Sequence, residues 1–207
     1  MRYLQQALIV AAIFFPISAS ADERPTVVVG GPYHADVAGA ASLSHRFGMM
    51  IMKPMFNADV TLLTSTERDI ILSKKGTTGA VIPIPLDDAV RFVSGLLKAN
   101  EWCLTLNNEN VAGSKTVDVW SWETLPVRYP GNLKRTPMGM QISVVAETAG
   151  SCSVKLDGKG AYPMPFVAYF PANSIEHLIE DITEIPAAAA ILDEQQTRKK
   201  TIIEQLK

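Results

Sequence analysis

The sequence predicts an α+β fold, mainly antiparallel β, with one packed helix in mid-chain and a helical C-terminus. Three observations carry this expectation. Short β-branched runs recur between clusters of turn residues. One long stretch, residues 86–98, repeats its apolar side chains at helical spacing. After residue 173 the strand-like runs stop and an amphipathic helical pattern takes over.

The chain has 207 residues, and residues 1–21 read as a secretory signal peptide. Arg2 supplies the positive start, Ala7 to Phe15 a short apolar core closed by Pro16, and Ala19-Ser20-Ala21 a small-residue cleavage site before Asp22. An apolar core of this length is too short to remain as a membrane span. The expected mature protein is an α+β domain over 22–186 followed by a helical tail over 187–207. Its expected location is the periplasm or the exterior. Charged residues make up 19% of the chain against 47% apolar, the balance of a chain with a core to bury. The net charge of −2 leaves no basic field for nucleic acid or anionic lipid.

Each element has its own signal. Thr26 to Val29 is β-branched and ends at Gly30-Gly31-Pro32, a strand and its turn. Ala35 to His45 is small and Ala-rich and reads as a loop or a loose helix. Val60 to Leu63 and Ile70 to Leu72 read as strands joined by the polar Thr64 to Asp69. Ala80 to Ile82 is a short strand at most, since Pro83 and Pro85 follow. In the mid-chain helix Leu86, Val90, Val93 and Leu97 form the expected core stripe, widened by Ala89, Phe92 and Leu96. Asp87 and Asp88 in the first turn and Lys98 in the last suit the helix dipole. Trp102 to Leu106 reads as the next strand, Asn107 to Lys115 as its turn, and Thr116 to Trp122 as a strand with Asp118, Trp120 and Trp122 on one face. After a Pro/Gly-containing connection from Pro126 to Pro137 come Met140 to Ala146, Cys152 to Leu156 and Phe166 to Phe170, with Gly158 and Gly160 marking a turn. Asn173-Ser174-Ile175-Glu176 has capping-box spacing with Asn173 as N-cap. Ile175, Leu178, Ile179 and Ile182 then form an apolar stripe that ends at Pro186.

Cys103 and Cys152 are the two cysteines, and in an oxidising compartment they are expected to pair. The closed loop would stabilise the fold by about 4 kcal/mol on the chain-entropy model. His45 and two groups of methionines could hold a soft metal. Met49, Met50, Met52 and Met55 cluster just after His45, and Met138 with Met140 makes a second pair. Thioethers select Cu(I), so copper is the one cofactor these residues suit; as apolar, adaptable side chains they also suit a core. His34 and Asp36, two residues apart, could join His45 at zinc, although no tight histidine pair supports this. No nucleophile elbow or related motif marks a hydrolase, which leaves an envelope hydrolase as a third reading carried only by Ser, His and Asp being present. Trp120 and Trp122 would form a stacking surface if exposed and a core face if buried.

The function expected first is an exported binding or accessory module that engages another protein or an envelope component. Periplasmic copper handling through the methionines is the alternative. The sequence leaves the oligomeric state open.

Overall fold

A computed structural model describes residues 25–37, 42–43, 50–51, 56–74, 81–124, 136–159 and 166–205. Among these, eight strands form one antiparallel sheet: β1 (Thr26–Val37), β4 (Phe56–Ser65), β5 (Ile70–Lys74), β6 (Val81–Ile84), β7 (Gly113–Thr124), β8 (Thr136–Thr148), β9 (Ser151–Lys159) and β10 (Phe166–Pro171). β2 (Ser42–Leu43) and β3 (Met50–Ile51) pair separately. Three helices, α1 (Leu86–Asn108), α2 (Ala172–Thr183) and α3 (Ile185–Gln205), complete the α+β fold.

The sheet is two four-stranded meanders, β1-β4-β5-β6 and β7-β8-β9-β10, joined where β1 pairs β10, so β6 and β7 are its edges. Two contacts show that the sheet curls until those edges approach. The Trp122 indole N–H on β7 donates to the Pro83 carbonyl on β6 at 3.0 Å. Gly158 on β9 lies so close to β6 that a Cβ there would overlap the Ile82 Cδ1 atom. Pro83 is tolerated because β6 is an edge, and Trp122 occupies an acceptor that would otherwise invite a further strand.

The concave side holds the core: Val60, Leu62, Ile70, Leu72, Ile82 and Ile84 from the first meander, and Ile142, Val154, Leu156, Phe166 and Phe170 from the second. α1 packs on β7, β8 and β9, α2 on β1 and α1, and the start of α3 on β1 and β4.

Several expectations need correction. Trp102 to Leu106 is helix, not strand: α1 runs on to Asn108 because Ala99, Cys103 and Leu106 continue the packed face begun by Phe92 and Leu96. It ends in a Schellman arrangement. Asn110 takes a φ of 54°, and the Val111 and Asn110 amides donate to the Leu106 and Asn107 carbonyls. β1 extends through Ala35 to Val37, where a loop or loose helix was expected, and carries Gly30 to Pro32 as an irregularity within the strand. Gly158 lies inside β9, where it permits close packing, and does not mark a turn.

Asn173 is not the N-cap of α2. Pro171 holds that position without a side-chain cap, and the expected capping residues make tertiary contacts instead. Ser174 donates to the His34 carbonyl at 3.3 Å, and Glu176 accepts from the Asn100 amide at 3.2 Å. Pro186 sits in the first turn of α3, where its missing N–H breaks no helical bond, so α3 starts before residue 187. The apolar stripe of α2 is buried as expected at Ile175, Leu178 and Ile182.

Candidate interaction surface

α1 is apolar on two faces, and the structure buries the one that the sequence made secondary. Phe92, Leu96, Ala99 and Cys103 are fully buried. Leu86, Val90 and Leu97, expected in the core, are exposed, Val90 by 81% and Leu97 by 54%; Leu104 continues their line. Val93 sits between the two faces and packs against the core. The sheet meets α1 from one side, where Gly95 allows Ile142 to come close. A helix can turn only one stripe toward a sheet, so the other is left to solvent or to a partner.

The charges beside the exposed stripe divide by sign. Arg91 grips Asp118 on β7 through two bonds of 2.7 Å, and its guanidinium lies over the Trp120 ring. This pairing holds the Asp118 carboxyl below the usual aspartate range. Lys98 and Lys115 flank the Trp102 ring at 5.1 and 3.8 Å from its centroid. The cations of this face are therefore tied to its own domain. Asp87 and Glu101 are exposed and have no ion-pair partner among the described residues.

α3 shows the same lack of cover in another form. Ile185, Ala189 and Leu192 anchor its first two turns in the core. From Asp193 to Gln205 every residue is exposed except the half-buried Gln196. That half contains Thr197, Thr201, Ile202 and Ile203, whose β-branched side chains are poor at sustaining a helix alone. A solitary helix of this length is marginal in water. Arg198, Lys199 and Lys200 form a basic run within it, also without ion-pair partners among the described residues.

The disulfide between Cys103 and Cys152 forms, with Cα atoms 5.4 Å apart, and ties the last turns of α1 to the start of β9. Asn107 Oδ1 accepts from the Cys152 amide beside it. Such a bond fits an oxidising compartment. Trp120 and Trp122 are 6% and 9% exposed and stack with centroids 5.7 Å apart in the core. That arrangement is the core face, not an exposed stacking surface.

Of the metal candidates, His45, Met49, Met52 and Met55 lie outside the described residues. Met50 is placed on β3, opposite Leu43. Met138 and Met140 are buried in the core, opposite Trp122 and Trp120. His34 and Asp36 share the outer face of β1, and His34 Nδ1 lies 3.0 Å from Asp59 Oδ1. His177 is on α2 beside Glu180. Among the described residues no group of three or more His, Cys, Asp or Glu side chains is arranged to hold a metal ion.

One half-buried polar pair escaped the sequence reading. The Tyr33 hydroxyl donates to Asp181 Oδ2 at 2.6 Å, joining β1 to α2. Burial, and then the carboxylate beside it, push the Tyr33 phenol far above its ordinary range. Gly30 makes the pair possible, since a Cβ there would collide with the Asp181 carboxyl group. The pair fastens a helix to a strand irregularity and uses both of its partners in doing so. The only sequence signal for it was the Gly-Gly-Pro run.

No helix among the described residues is long and apolar enough to cross a membrane. No family model, curated protein or solved structure matches the chain.

Proposed function

We propose that this protein is an exported binding or accessory module that works by docking onto another protein or envelope component through helical surfaces. One observation carries the reading. The distal half of α3, from Asp193 to Gln205, is helical, yet every residue in it except the half-buried Gln196 is exposed, and none of them belongs to the core formed by the described residues. In proteins, helical stability comes mostly from packing an amphipathic face, so a helix that outruns its packing is suited to receive a partner. The disulfide supports the exported location, and the leader-like first 21 residues agree with it.

The test places a photo-crosslinking residue at Ile191, Ile202 or Ile203 in the exporting cell, with Leu192 as a buried control. The expected result is a discrete higher-mass adduct from the exposed positions, lost when the remaining distal isoleucine is made Asp. A chain ended after Asp193 should keep its melting temperature and lose the adduct. Absence of adducts at all three exposed positions, with normal export and folding, would overturn the proposal.

A further inference from the structure

We propose that the partner of α3 is a second copy of this chain. The distal half of α3 from one protomer lies antiparallel along the exposed stripe of α1 on the other, and the reverse contact closes a two-fold dimer. This inference rests on the docking reading above and names its occupant.

The two surfaces match in spacing. Leu86 and Leu97 are eleven residues apart on α1, and Ile191 and Ile202 are eleven apart on α3. Eleven residues are three helical turns, so each pair lies on one line, about 16 Å long. All four side chains are exposed. Ridges of equal repeat on two helices can meet at both ends at once.

Charge selects the direction. With Ile191 beside Leu97 and Ile202 beside Leu86, the helices run antiparallel. Arg198, Lys199 and Lys200 then come level with residues 88–90, next to Asp87 and Asp88 in the first turn of α1. The parallel alternative sets the basic run opposite Val93, Ser94 and Gly95, where it meets no acid. Antiparallel packing also opposes the helix dipoles favourably.

Symmetry adds to this. On one protomer α1 packs on the sheet and on α2, while α3 packs on β1 and β4. An exchange between two copies satisfies both exposed surfaces twice over and closes on itself, leaving no site for a third chain.

The experiment uses the mature chain with its native disulfide. Sedimentation across concentration should give a dimer that weakens as salt rises. Ile202→Cys mixed with Leu86→Cys should form the mixed disulfide under mild oxidation, while Ile202→Cys alone stays uncrosslinked. Asp87→Lys with Asp88→Lys should weaken the dimer by about tenfold or more, and Arg198→Glu with Lys200→Glu on the same chain should restore it. Leu86, Asp87, Arg198, Lys200 and Ile202 are exposed, whereas the Asp87→Lys and Asp88→Lys changes also oppose the α1 dipole, so recovery of the dimer by the α3 charge reversal, and not the melting temperature, is the readout. A monomer at every concentration, or a predominant Ile202–Ile202 crosslink, would overturn the inference. If the purified chain is monomeric while Ile202 crosslinks to a different protein in the cell, the self-association falls and the docking reading stands. Absence of any adduct removes both.

Discussion

α1 and α3 are of similar length, 23 and 21 residues, and are held in opposite ways. α1 is fixed along its whole course. Phe92 and Leu96 enter the core, Arg91 reaches Asp118, Asn100 reaches Glu176, and Cys103 is bonded to β9. α3 is fixed at one end by Ile185, Ala189 and Leu192 and is exposed beyond them, apart from the half-buried Gln196. Yet both present uncovered isoleucine, leucine or valine. Apolar exposure therefore has two origins here: a helix with more apolar face than the sheet can cover, and a helix with more length than the domain can cover.

The strongest way to break this contrast lies within α1. Phe92→Ala should cost about 3–5 kcal/mol of stability in urea unfolding, because it empties a packed site beside Trp120. Leu97→Ala should stay within about 0.5 kcal/mol for the monomer. A large loss at Leu97 would mean that this face is covered even at low concentration. Next comes the covalent tie. Replacing Cys103 and Cys152 together by Ser should cost about 2–4 kcal/mol and leave the fold recognisable by circular dichroism.

Within α3 the same pair of measurements sharpens the division at Asp193. Leu192→Ala should cost about 2–3 kcal/mol and Ile203→Ala almost nothing in thermal or urea unfolding of the monomer. Equal costs at the two sites would place the boundary elsewhere. The smallest effect concerns Asp118. Its pKa in the folded state is lowered, so the pairing with Arg91 stabilises the fold above the ordinary aspartate range and is lost as pH falls through the lowered value. Asp118→Asn should therefore reduce stability slightly at pH 7 and flatten the dependence of stability on pH below about 4. An unchanged acid limb in the variant would show that the pair is fully screened.

The class of fold and the positions of most strands were legible, because alternation and turn residues report directly on half-buried strands. The cysteine pair was legible from compartment and count. The end of α1 was not: Trp102 to Leu106 has the composition of a strand, and only its continuity with Phe92, Leu96 and Ala99 on a packed face makes it helical. The burial of α1 was half legible. Periodicity finds apolar stripes, but two stripes were present, and which one meets the sheet depends on how β7, β8 and β9 are placed in space. Asn173 failed as a cap for a related reason: Ser174 and Glu176 have partners on β1 and α1 that no local pattern could reveal. The helical character of the chain end was legible in outline, since a helical tail was expected over 187–207 and α3 spans Ile185–Gln205.

The join between the two meanders has a mechanical consequence. Among the described residues β1 and β10 are paired only at Asp36 with Tyr169 and Val37 with Ala168, whereas β7, β8 and β9 are paired along most of their lengths. What spans this short join is α2, through Ser174 to the His34 carbonyl and Asp181 to Tyr33. The backbone join is thus a narrow weld, braced by α2 on one side and by the shared core and the Trp122–Pro83 bond elsewhere. Loosening the brace with Asp181→Ala should lower hydrogen-exchange protection first at the β1 and β10 amides beside the weld, whereas unchanged protection there would show that the core and the far edges hold it without α2.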